Sequence, residues 1–539
     1  MLTIPNVTWL DLLCLTGVGV YLVKQVIIKK NPAPYPPGPR GWPLIGNILD
    51  MPRIKPWVAF TEWGQKYGDI AHIEVLGRHI IVLNSTKTAL EMMDSKSTLY
   101  SDRPVLPMAG ELVGWKDSLP FLPYGNRFRQ QRKNFHRIIG SRAAVDVYNV
   151  VEEVETRRFL KRVLAKPDQL QEHVRHTAGA IILRISHGYE VKENNDPFVD
   201  LADRVIINGS QAASPGAYMV DTLPFLAKVP VWFPGAGFKR IARKWRETLE
   251  EMVSAPHKLV KDQMAAGTAP VSLTSNLLEG RDVSAEEEHS VKWSAFSLYS
   301  GGADTTVSAI NSFFLAMTLF PDVQKKAQAE IDAVVGSDRL PTFADRDSLP
   351  YTEVLVKEVL RWNVVVPTGF PHRVTEDDIH NGYYIPKGSI VLPNIWLVLP
   401  FGWFMLKDPR TYTNPSQFNP DRFLAKDGKD PETEPRTACF GFGRRICPGV
   451  FNSHQLIHSI LTFACFWCTG IHLAEASIWI STVMSLAVFD ISKVVENGIE
   501  ITPSVEPSPG TISHPKPFKC SIKPRSATAL RLIEQDANY

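Results

Sequence analysis

The decapeptide FGFGRRICPG, residues 440–449, holds a cysteine between glycines at a spacing that suits a metal ligand. The pattern reads Phe440-x-x-Gly443-x-Arg445-x-Cys447-x-Gly449. Its glycines allow a tight loop whose backbone amides can point at the sulfur and hold it as a thiolate, the form that binds iron. A single buried cysteine is usually inert packing, so the assignment of Cys447 as a ligand depends on this pattern. Arg445 adds a guanidinium that can bind a carboxylate of a bound group.

A second group of chemically useful residues lies in SLYSGGADTTVSAIN, residues 297–311, within a helical pattern that begins near Ala285. Each of the two glycines at 301 and 302 costs a helix about 0.5–1 kcal/mol relative to alanine. We therefore expect a functionally loosened helix that admits dioxygen. Asp304 and Thr305 follow directly and supply an acid and a hydroxyl for proton delivery. A helix with a Ser/Thr-rich solvated face would have the same composition, and this stretch alone does not separate the two interpretations.

Two further motifs supply charges that would need each other if buried. KEVLRW places Glu358 and Arg361 three apart on a helix, where they can pair. FNPDRF, residues 418–423, adds Arg422, which would complete a network of one carboxylate and two guanidiniums. Any surface helix could carry the first pair, so each motif alone is weak.

Together and in this order, the motifs resemble the cytochrome P-450 superfamily of haem-thiolate monooxygenases, from PPGP at 36–39 to about residue 500. The resemblance implies a mainly α fold with a minor β-sheet region and a haem b cofactor, iron protoporphyrin IX. Cys447 is then the axial ligand of the haem iron, and Asp304 and Thr305 are the acid–alcohol pair. The details around FPGAGFKRIARKW and CPG are similar to fungal microsomal members, including those called O-methylsterigmatocystin oxidoreductases.

The same resemblance assigns structural roles to the remaining motif residues. Those of the ion network, which form a structural triad behind the haem, are Glu358, Arg361 and Arg422. Those that shape or support the haem-binding loop are Phe440, Gly443 and Gly449.

Propionate binding is expected to differ from the family pattern. YGNRFRQQRK matches the helix that binds a haem propionate in the family through Trp-x-x-x-Arg, but this chain has Phe128 ahead of Arg132. The indole N–H donor is therefore lost. We expect the propionates to depend on Arg132, with Arg373 of PTGFPHR and Arg445 as further donors.

Composition and patterning favour one mainly helical domain, residues 46–539. Long helical patterns fill residues 140–365, and the alternating run 70–84 predicts a hairpin. The balance of 59 basic and 56 acidic residues leaves a net charge of +3, which gives no indication of nucleic-acid binding. Six cysteines in 539 residues are too few for a disulfide framework and indicate a reducing compartment.

The amino terminus predicts a membrane anchor, residues 1–30, followed by a proline-rich hinge, residues 31–45. About 20 mostly apolar residues from Trp9 to Ile28 are long enough to span a bilayer as one transmembrane helix. Lys29 and Lys30 then place the rest of the chain in the cytosol, so we expect a single-pass protein of the endoplasmic reticulum membrane. A cleaved signal peptide is less favoured, because a basic first segment and a small-residue cleavage site are both missing.

Two segments depart from the spacing of the family and are predicted to be inserts. NIWLVLPFGWFMLKDP has tryptophans at 396 and 403 where the family usually has one, so residues 397–403 are expected to form a protruding loop. The haem-loop pattern stops after Gly449 and its usual continuation appears only as IHLAEASIW. We hypothesise that residues 450–470 are translated from a retained intron, with the next helix resuming near Ile471; a functional insertion is the alternative.

The resemblance implies a monooxygenase that inserts one atom of dioxygen into a lipophilic small molecule, in fungal secondary metabolism or xenobiotic oxidation. Candidate pocket walls are Phe296, Leu298, Val366 and Phe370. The chain has no flavin or nicotinamide fingerprint, so electrons must come from NADPH–cytochrome P-450 reductase, with a cytochrome b-type protein as a further donor. The alternatives are a haem-thiolate isomerase or dehydratase, against which the Asp304–Thr305 pair argues, and an inactive membrane-anchored chain from a mis-spliced gene.

Overall fold

The computed structural model describes residues 31–535 apart from 53, 215, 397–404, 426–427 and 448–470, together with the isolated positions 16 and 19. Four sequence predictions therefore lie outside the described residues: almost all of the anchor, Gly449, and the two inserts.

Most of the described chain is helical. The longer helices are α1 (Pro56–Tyr67), α2 (Asn126–Ile139), α3 (Asn149–Ala165), α4 (Leu170–His187), α5 (Pro197–Ala212), α6 (Gly237–Ala265), α7 (Ala285–Leu319), α8 (Pro321–Val334), α9 (Pro350–Trp362), α10 (Ile471–Val488) and α11 (Ala527–Glu534). Shorter α-helices span Thr86–Ala89, Ser97–Tyr100, Arg142–Asp146, Met219–Thr222, Leu273–Leu278 and Arg436–Cys439. Single turns of tighter or wider helix span Leu90–Ser95, Pro107–Val113, Trp115–Asp117, Pro167–Gln169, Pro224–Lys228, Phe343–Ser348, Met405–Lys407, Pro420–Phe423 and Gly443–Arg445.

The strands form small sheets. They are β1 (Ile70–Val75), β2 (Arg78–Leu83), β3 (His372–Arg373), β4 (Asp378–His380), β5 (Tyr383–Ile385), β6 (Ile390–Pro393), β7 (Phe489–Ser492), β8 (Val494–Glu496), β9 (Ile499–Ile501) and β10 (Ser521–Pro524). The largest sheet has the order β1-β2-β6-β3, and only its β2–β6 pair is parallel. The other sheets pair β4 with β5, β7 with β10 and β8 with β9. The predicted class, mainly α with a minor β-sheet region, is confirmed.

Local sequence explains where the helix that carries Asp304 begins. The Ser284 side chain accepts from the Glu287 N–H, and the Glu287 carboxylate accepts from the Ser284 N–H, which together form a capping box. Helix α7 then runs for 35 residues without interruption, through both glycines of the predicted loosened stretch. Instead, Gly302 permits close packing, because a Cβ there would lie 2.9 Å from Ile182 Cδ1 of α4.

Helix α10 is a core helix. Within the described chain it alone is long and apolar enough to cross a membrane, with a mean hydropathy of 1.5, but 83% of that window is buried inside the protein. Helices α7 and α8 pass the same test only as a pair, and they meet at a bend of 106°. The buried side chains of α10, among them Trp479, pack in one cluster with residues of α7 and α9 such as Phe313 and Leu355.

Candidate functional site

The loop that leads to Cys447 is held by backbone hydrogen bonds. The Cys447 N–H donates to the Phe440 carbonyl at 2.7 Å, which closes the loop. Gly443 lies at φ +58°, and a Cβ there would lie only 2.1 Å from the Met93 carbonyl oxygen, so glycine is required. The Gly443 N–H also donates to the Asp94 carboxylate, which partly offsets the burial that raises the pKa of Asp94 to about 6. The Cys447 side chain remains half-buried at the end of this fixed loop.

Arg445, two residues before Cys447 in the same loop, has a buried guanidinium. Its Nε donates to the Ser101 carbonyl at 2.6 Å, and its Nη2 donates to the Leu122 carbonyl at 2.7 Å. Its Nη1 is buried and has no hydrogen-bond partner in the described part of the chain. Such an orphaned charged donor is costly, so the site calls for an anionic acceptor at Nη1.

Two further arginines reinforce this demand for negative charge. Arg103 is 7% exposed and donates to backbone carbonyls, from Nε to Pro120 at 2.9 Å and from Nη1 to Pro371 at 2.6 Å. Arg132, on α2, is 6% exposed and donates from Nη1 to the Ile446 carbonyl at 2.8 Å, one residue before the cysteine.

The pKa values of Arg103 and Arg445 are lowered, as expected where buried positive charges outnumber negative ones. Burial lowers the pKa of Arg103 to about 9, although the nearby Asp102 carboxylate opposes the change. Burial, followed by repulsion from Arg103, lowers the pKa of Arg445 to about 8. Asp102 cannot balance all three cations, because it also forms a short ion pair with Arg373. The three buried guanidiniums of Arg445, Arg103 and Arg132 therefore fit a ligand with more than one carboxylate, such as a haem with two propionates.

Phe128 contributes a contact that the sequence does not suggest. Its ring, in place of the expected indole, lies 3.9 Å by its centroid from the guanidinium carbon of Arg445 and 5.9 Å from that of Arg132. A ring face at this distance attracts a cation. The aromatic residue therefore holds Arg445 in place of donating a hydrogen bond.

Arg373 and its neighbour His372 occupy different positions. The Arg373 side chain is 41% exposed and pairs with Asp102, whereas His372 is 4% exposed. The His372 Nδ1–H donates to the Tyr100 carbonyl at 2.6 Å, and burial together with Arg103 keeps the imidazole pKa well below its usual range. His372 and Arg103 are thus cluster members that sequence reasoning missed, since a single arginine or histidine in a loop gives no spacing signal.

On α7, the predicted acid and alcohol have separate partners. Thr305 Oγ1 donates to the Gly301 carbonyl at 2.7 Å, and Gly301 itself faces open space. Asp304 is 7% exposed, with Oδ1 3.1 Å from Arg175 Nη1 and Oδ2 3.3 Å from His514 Nε2. Burial alone would raise the pKa of Asp304, but His514 and then Arg175 outweigh it and lower that pKa. The carboxyl is therefore held in its charged form.

The predicted ion network is assembled and fully buried. Both Glu358 oxygens accept from Arg361, at 2.6 Å from Nε and 2.8 Å from Nη2, and Arg422 Nε lies 3.2 Å from Glu358 Oε2. Sequence reasoning missed Glu432, whose Oε2 accepts from Arg422 Nη1 at 2.6 Å. With two carboxylates and two guanidiniums the network is electrically neutral, as burial requires.

The four predicted pocket walls do not share one environment. Phe296 and Leu298 are 2% and 4% exposed and belong to the core, where the Phe296 ring lies 5.2 Å from that of Trp115. Val366 and Phe370 are half-buried, and the Phe370 carbonyl also accepts from Arg103. Phe370 thus lies at the guanidinium cluster, whereas Phe296 and Leu298 pack in the core.

Comparison with known proteins decides the family. The family described as Cytochrome P450 matches residues 36–456. The chain belongs to the cytochrome P450 family. Three relatives of this P450 cover nearly its whole length. It is 51% identical to "Cytochrome P450 monooxygenase 208" of Postia placenta, with 96% of each chain covered.

The other two relatives are also fungal. The chain is 46% identical to "Cytochrome P450 monooxygenase claR" of Ampulloclitocybe clavipes, over 99% of this chain and 94% of the relative. It is 40% identical to "Cytochrome P450 monooxygenase ppsD" of Aspergillus oryzae, over 97% and 94%. The predicted family and the prediction of a haem-thiolate monooxygenase are thereby confirmed, and the isomerase alternative is not favoured.

Proposed function

We propose that this P450 uses haem b to insert one atom of dioxygen into a lipophilic small molecule, in fungal secondary metabolism or xenobiotic oxidation. The observation that supports the haem site most directly is the cluster of buried guanidiniums beside the Cys447 loop, with the orphaned Arg445 Nη1. Two propionates would supply the negative charge that this cluster lacks. The fungal relatives, all named monooxygenases, support the class of reaction.

In this proposal the Cys447 thiolate binds the haem iron, and the loop closed by Phe440 and Gly443 holds the sulfur. Arg445, Arg132, Arg103 and His372 would hold the propionates. When bound, a thiolate-ligated haem activates dioxygen, since the electron-rich sulfur favours cleavage of the O–O bond.

The side chains on α7 would deliver the protons that this reaction consumes. The Thr305 hydroxyl, held by the Gly301 carbonyl, faces the open side of the helix and can pass a proton along a hydrogen-bonded chain. Asp304 would be the acid that supplies the next proton to this hydrogen-bonded chain. The half-buried Val366 and Phe370 would provide apolar contacts for the substrate.

Electrons would come from NADPH through a separate cytochrome P-450 reductase, with a cytochrome b-type protein as a second donor. We further propose that residues 1–30 anchor the chain in the endoplasmic reticulum membrane with the catalytic domain in the cytosol. The apolar run from Trp9 to Ile28 supports this location.

The test is Cys447→Ser, with Cys439→Ser, at a cysteine that is likewise half-buried, as matched control. A serine hydroxyl stays protonated where a thiol ionises, so we expect Cys447→Ser to lose the carbon monoxide difference spectrum of a thiolate-bound haem and all NADPH-dependent turnover. Cys439→Ser should keep both. Monooxygenation by Cys447→Ser would contradict the proposal, and product formation without NADPH would favour the isomerase alternative.

A further inference from the structure

The Cys447 loop, residues 440–447, is held from outside by one carboxylate. The Gly443 N–H donates to Asp94, and the carbonyl oxygen of the preceding residue, Met93, lies against the same glycine. An N–H that donates to a carboxylate forms a charge-assisted hydrogen bond, which is stronger than one between neutral groups. Asp94 therefore holds the loop by its backbone, four residues before the predicted iron ligand.

The segment that carries Asp94 is fixed by contacts of its own. We call residues 90–101 the support segment. Lys96 Nζ donates to both oxygens of Asp378, at 2.9 and 2.7 Å, and the Tyr100 hydroxyl donates to Asp378 Oδ2 at 2.7 Å. Asp378 is the first residue of β4, and Met93 is 1% exposed in the core. The support segment is thus anchored on β4 and on the core, and it holds the carboxylate against the loop from a fixed position.

The charge on Asp94 lacks a cation. In the part of the chain that the structure describes, Asp94 forms no ion pair, whereas Glu91 in the same turn has Lys87 Nζ 3.9 Å away. Burial raises the pKa of Asp94 to about 6, and the Gly443 N–H opposes that increase. The carboxyl is therefore ionised at neutral pH, although its ionisation reduces the stability of the fold. The group that gains from this charge is an N–H of the loop that carries the iron ligand.

We propose that Asp94 is a positioning residue for the haem ligand, whose negative charge fixes the Gly443 backbone and through it the Cys447 loop. This inference rests on the proposed haem site. Groups that orient a metal ligand from behind affect how tightly the metal is held. A neutral side chain at position 94 should therefore release haem faster. It should also raise the reduction potential of the haem, because a nearby anion favours the oxidised iron.

The experiment compares the Asp94→Asn holoenzyme with the wild type at neutral pH. Asparagine keeps an acceptor oxygen of the same shape and removes the charge. We expect transfer of haem to an apo-globin acceptor to be about fivefold faster, since a neutral acceptor holds the N–H less firmly. The reduction potential should rise. The melting temperature, followed by circular dichroism, should stay the same or increase, because a charge without a cation has been removed.

Two further variants complete the comparison. Asp94→Ala also removes the acceptor and leaves the Gly443 N–H unpaired, so haem loss should be about 10- to 100-fold faster. Glu91→Gln is the matched control, because Glu91 lies in the same turn and its charge faces Lys87. It should keep the wild-type rate of haem loss and the wild-type potential.

The outcomes separate positioning of the ligand from support of the fold. A residue that only supports the fold would lower the melting temperature of Asp94→Asn together with its haem retention. That result, or loss of soluble Asp94→Asn, would overturn the proposal. Wild-type haem loss and potential in both Asp94 variants would overturn it equally. A wild type without the carbon monoxide spectrum of a thiolate-bound haem would instead refute the proposed function.

Discussion

Arg445 is a buried cation whose charged neighbours are two further guanidiniums and one carboxylate that is already paired with Arg373. Arg445→Gln should therefore weaken haem retention more than it weakens the protein fold. Loss of one charged hydrogen bond, about 1.5–3 kcal/mol, corresponds to haem loss that is about 10- to 150-fold faster. The measurement is transfer of haem from the purified variant to an apo-globin acceptor.

The adjacent arginine provides the control for this change. Arg444 is half-buried and donates to the Tyr124 hydroxyl at 3.1 Å, outside the orphaned position. Arg444→Gln should keep the wild-type rate of haem loss. Equal rates for wild type and Arg445→Gln would contradict a propionate at Nη1.

For individual site residues, the sequence predicts those that lie within a short motif. It does not predict those that the fold brings to the site from distant parts of the chain. Cys447, Gly443 and Arg445 share one decapeptide, so their spacing carries the signal. Arg103 donates to the carbonyl of Pro371, which is 268 residues away in the sequence, and no local sequence pattern at either residue predicts that hydrogen bond. Arg373, predicted as a propionate donor, pairs with Asp102, whereas the adjacent His372 is buried, and nothing in the local sequence distinguishes the two.

Helix α9 and the segment after it are joined by the neutral network of Glu358, Arg361, Arg422 and Glu432. Glu358 is completely buried and contacts both arginines, whereas the Glu432 side chain is 19% exposed. Removing one member of a buried pair costs about 3–5 kcal/mol. We expect Glu358→Ala to give no soluble haem protein.

Two matched variants test whether burial is the cause. Glu432→Gln should be milder, because water can reach the released charge on Arg422. Lys357→Ala removes the partly exposed Lys357–Glu434 pair one residue from Glu358 and should give normal yield. Soluble yield and the ratio of haem to protein measure each outcome, and normal values for Glu358→Ala would show that the network is dispensable.

Helices α3 and α10 meet at a buried carboxyl that forms no ion pair with any residue that the structure describes. Glu152 is fully buried, accepts from Ser477 Oγ at 3.0 Å, and has its pKa raised by burial from 4.5 to about 8. Between these two values the unfolded chain loses the proton and the folded chain keeps it, so this carboxyl lowers the stability of the fold as the pH rises from about 4.5 to 8.

Glu152→Gln should remove this pH-dependent penalty, since an amide resembles the protonated carboxyl. The melting temperature of the variant should match that of the wild type near pH 5 and exceed it at pH 8. The corresponding gain in the free energy of unfolding is on the order of 1.4 kcal/mol for each unit by which the pKa of Glu152 is raised. Glu172→Gln, on the exposed face of α4, should show no such divergence. Parallel curves for Glu152→Gln and wild type from pH 5 to 8 would mean that Glu152 is ionised in the fold.

Elements with local signals were predictable, and long-range pairings were not. The alternating run 70–84 predicted a hairpin, and β1 pairs with β2 over Ile70–Val75 and Arg78–Leu83. The helical pattern that begins near Ala285 is confirmed as a helix that starts at that residue. Its start is predictable because the capping box of Ser284 and Glu287 involves only neighbouring residues. The parallel pairing of Ile80 with Ile390 joins strands about 300 residues apart, and neither run of apolar residues specifies its partner.

For the molecule as a whole, the unusual feature is the segment between the cysteine loop and α10. The family match ends at residue 456, inside the segment 450–470 that the sequence predicts to be an insert. Arg436, on the short helix before the loop, forms a short ion pair with Glu475 in the second turn of α10. The entry to the loop and the start of α10 are therefore in contact through their own side chains. Similarly, Trp396, just before the other predicted insert, is 3% exposed with its ring 6.0 Å from that of Trp57.

Deletion of residues 450–470 should therefore join Gly449 to Ile471 without loss of the haem site. Ile471 and Leu473 are buried at the start of α10, and Arg436 pairs with Glu475, so we expect the helix to keep its packing without the segment. We expect the shortened chain to bind at least as much haem as the full-length chain and to be reduced faster by the reductase, because an apolar segment with two cysteines no longer follows the haem loop in the sequence. Replacement of the segment by a flexible Gly/Ser linker of equal length is the control, and it should restore haem binding if composition rather than length is harmful. Transcript sequencing supplies the independent measurement: if most mature messages carry the corresponding stretch of about 63 nucleotides and the full-length protein binds haem and turns over as well as the shortened one, the retained-intron hypothesis is wrong and residues 450–470 are a genuine part of this P450.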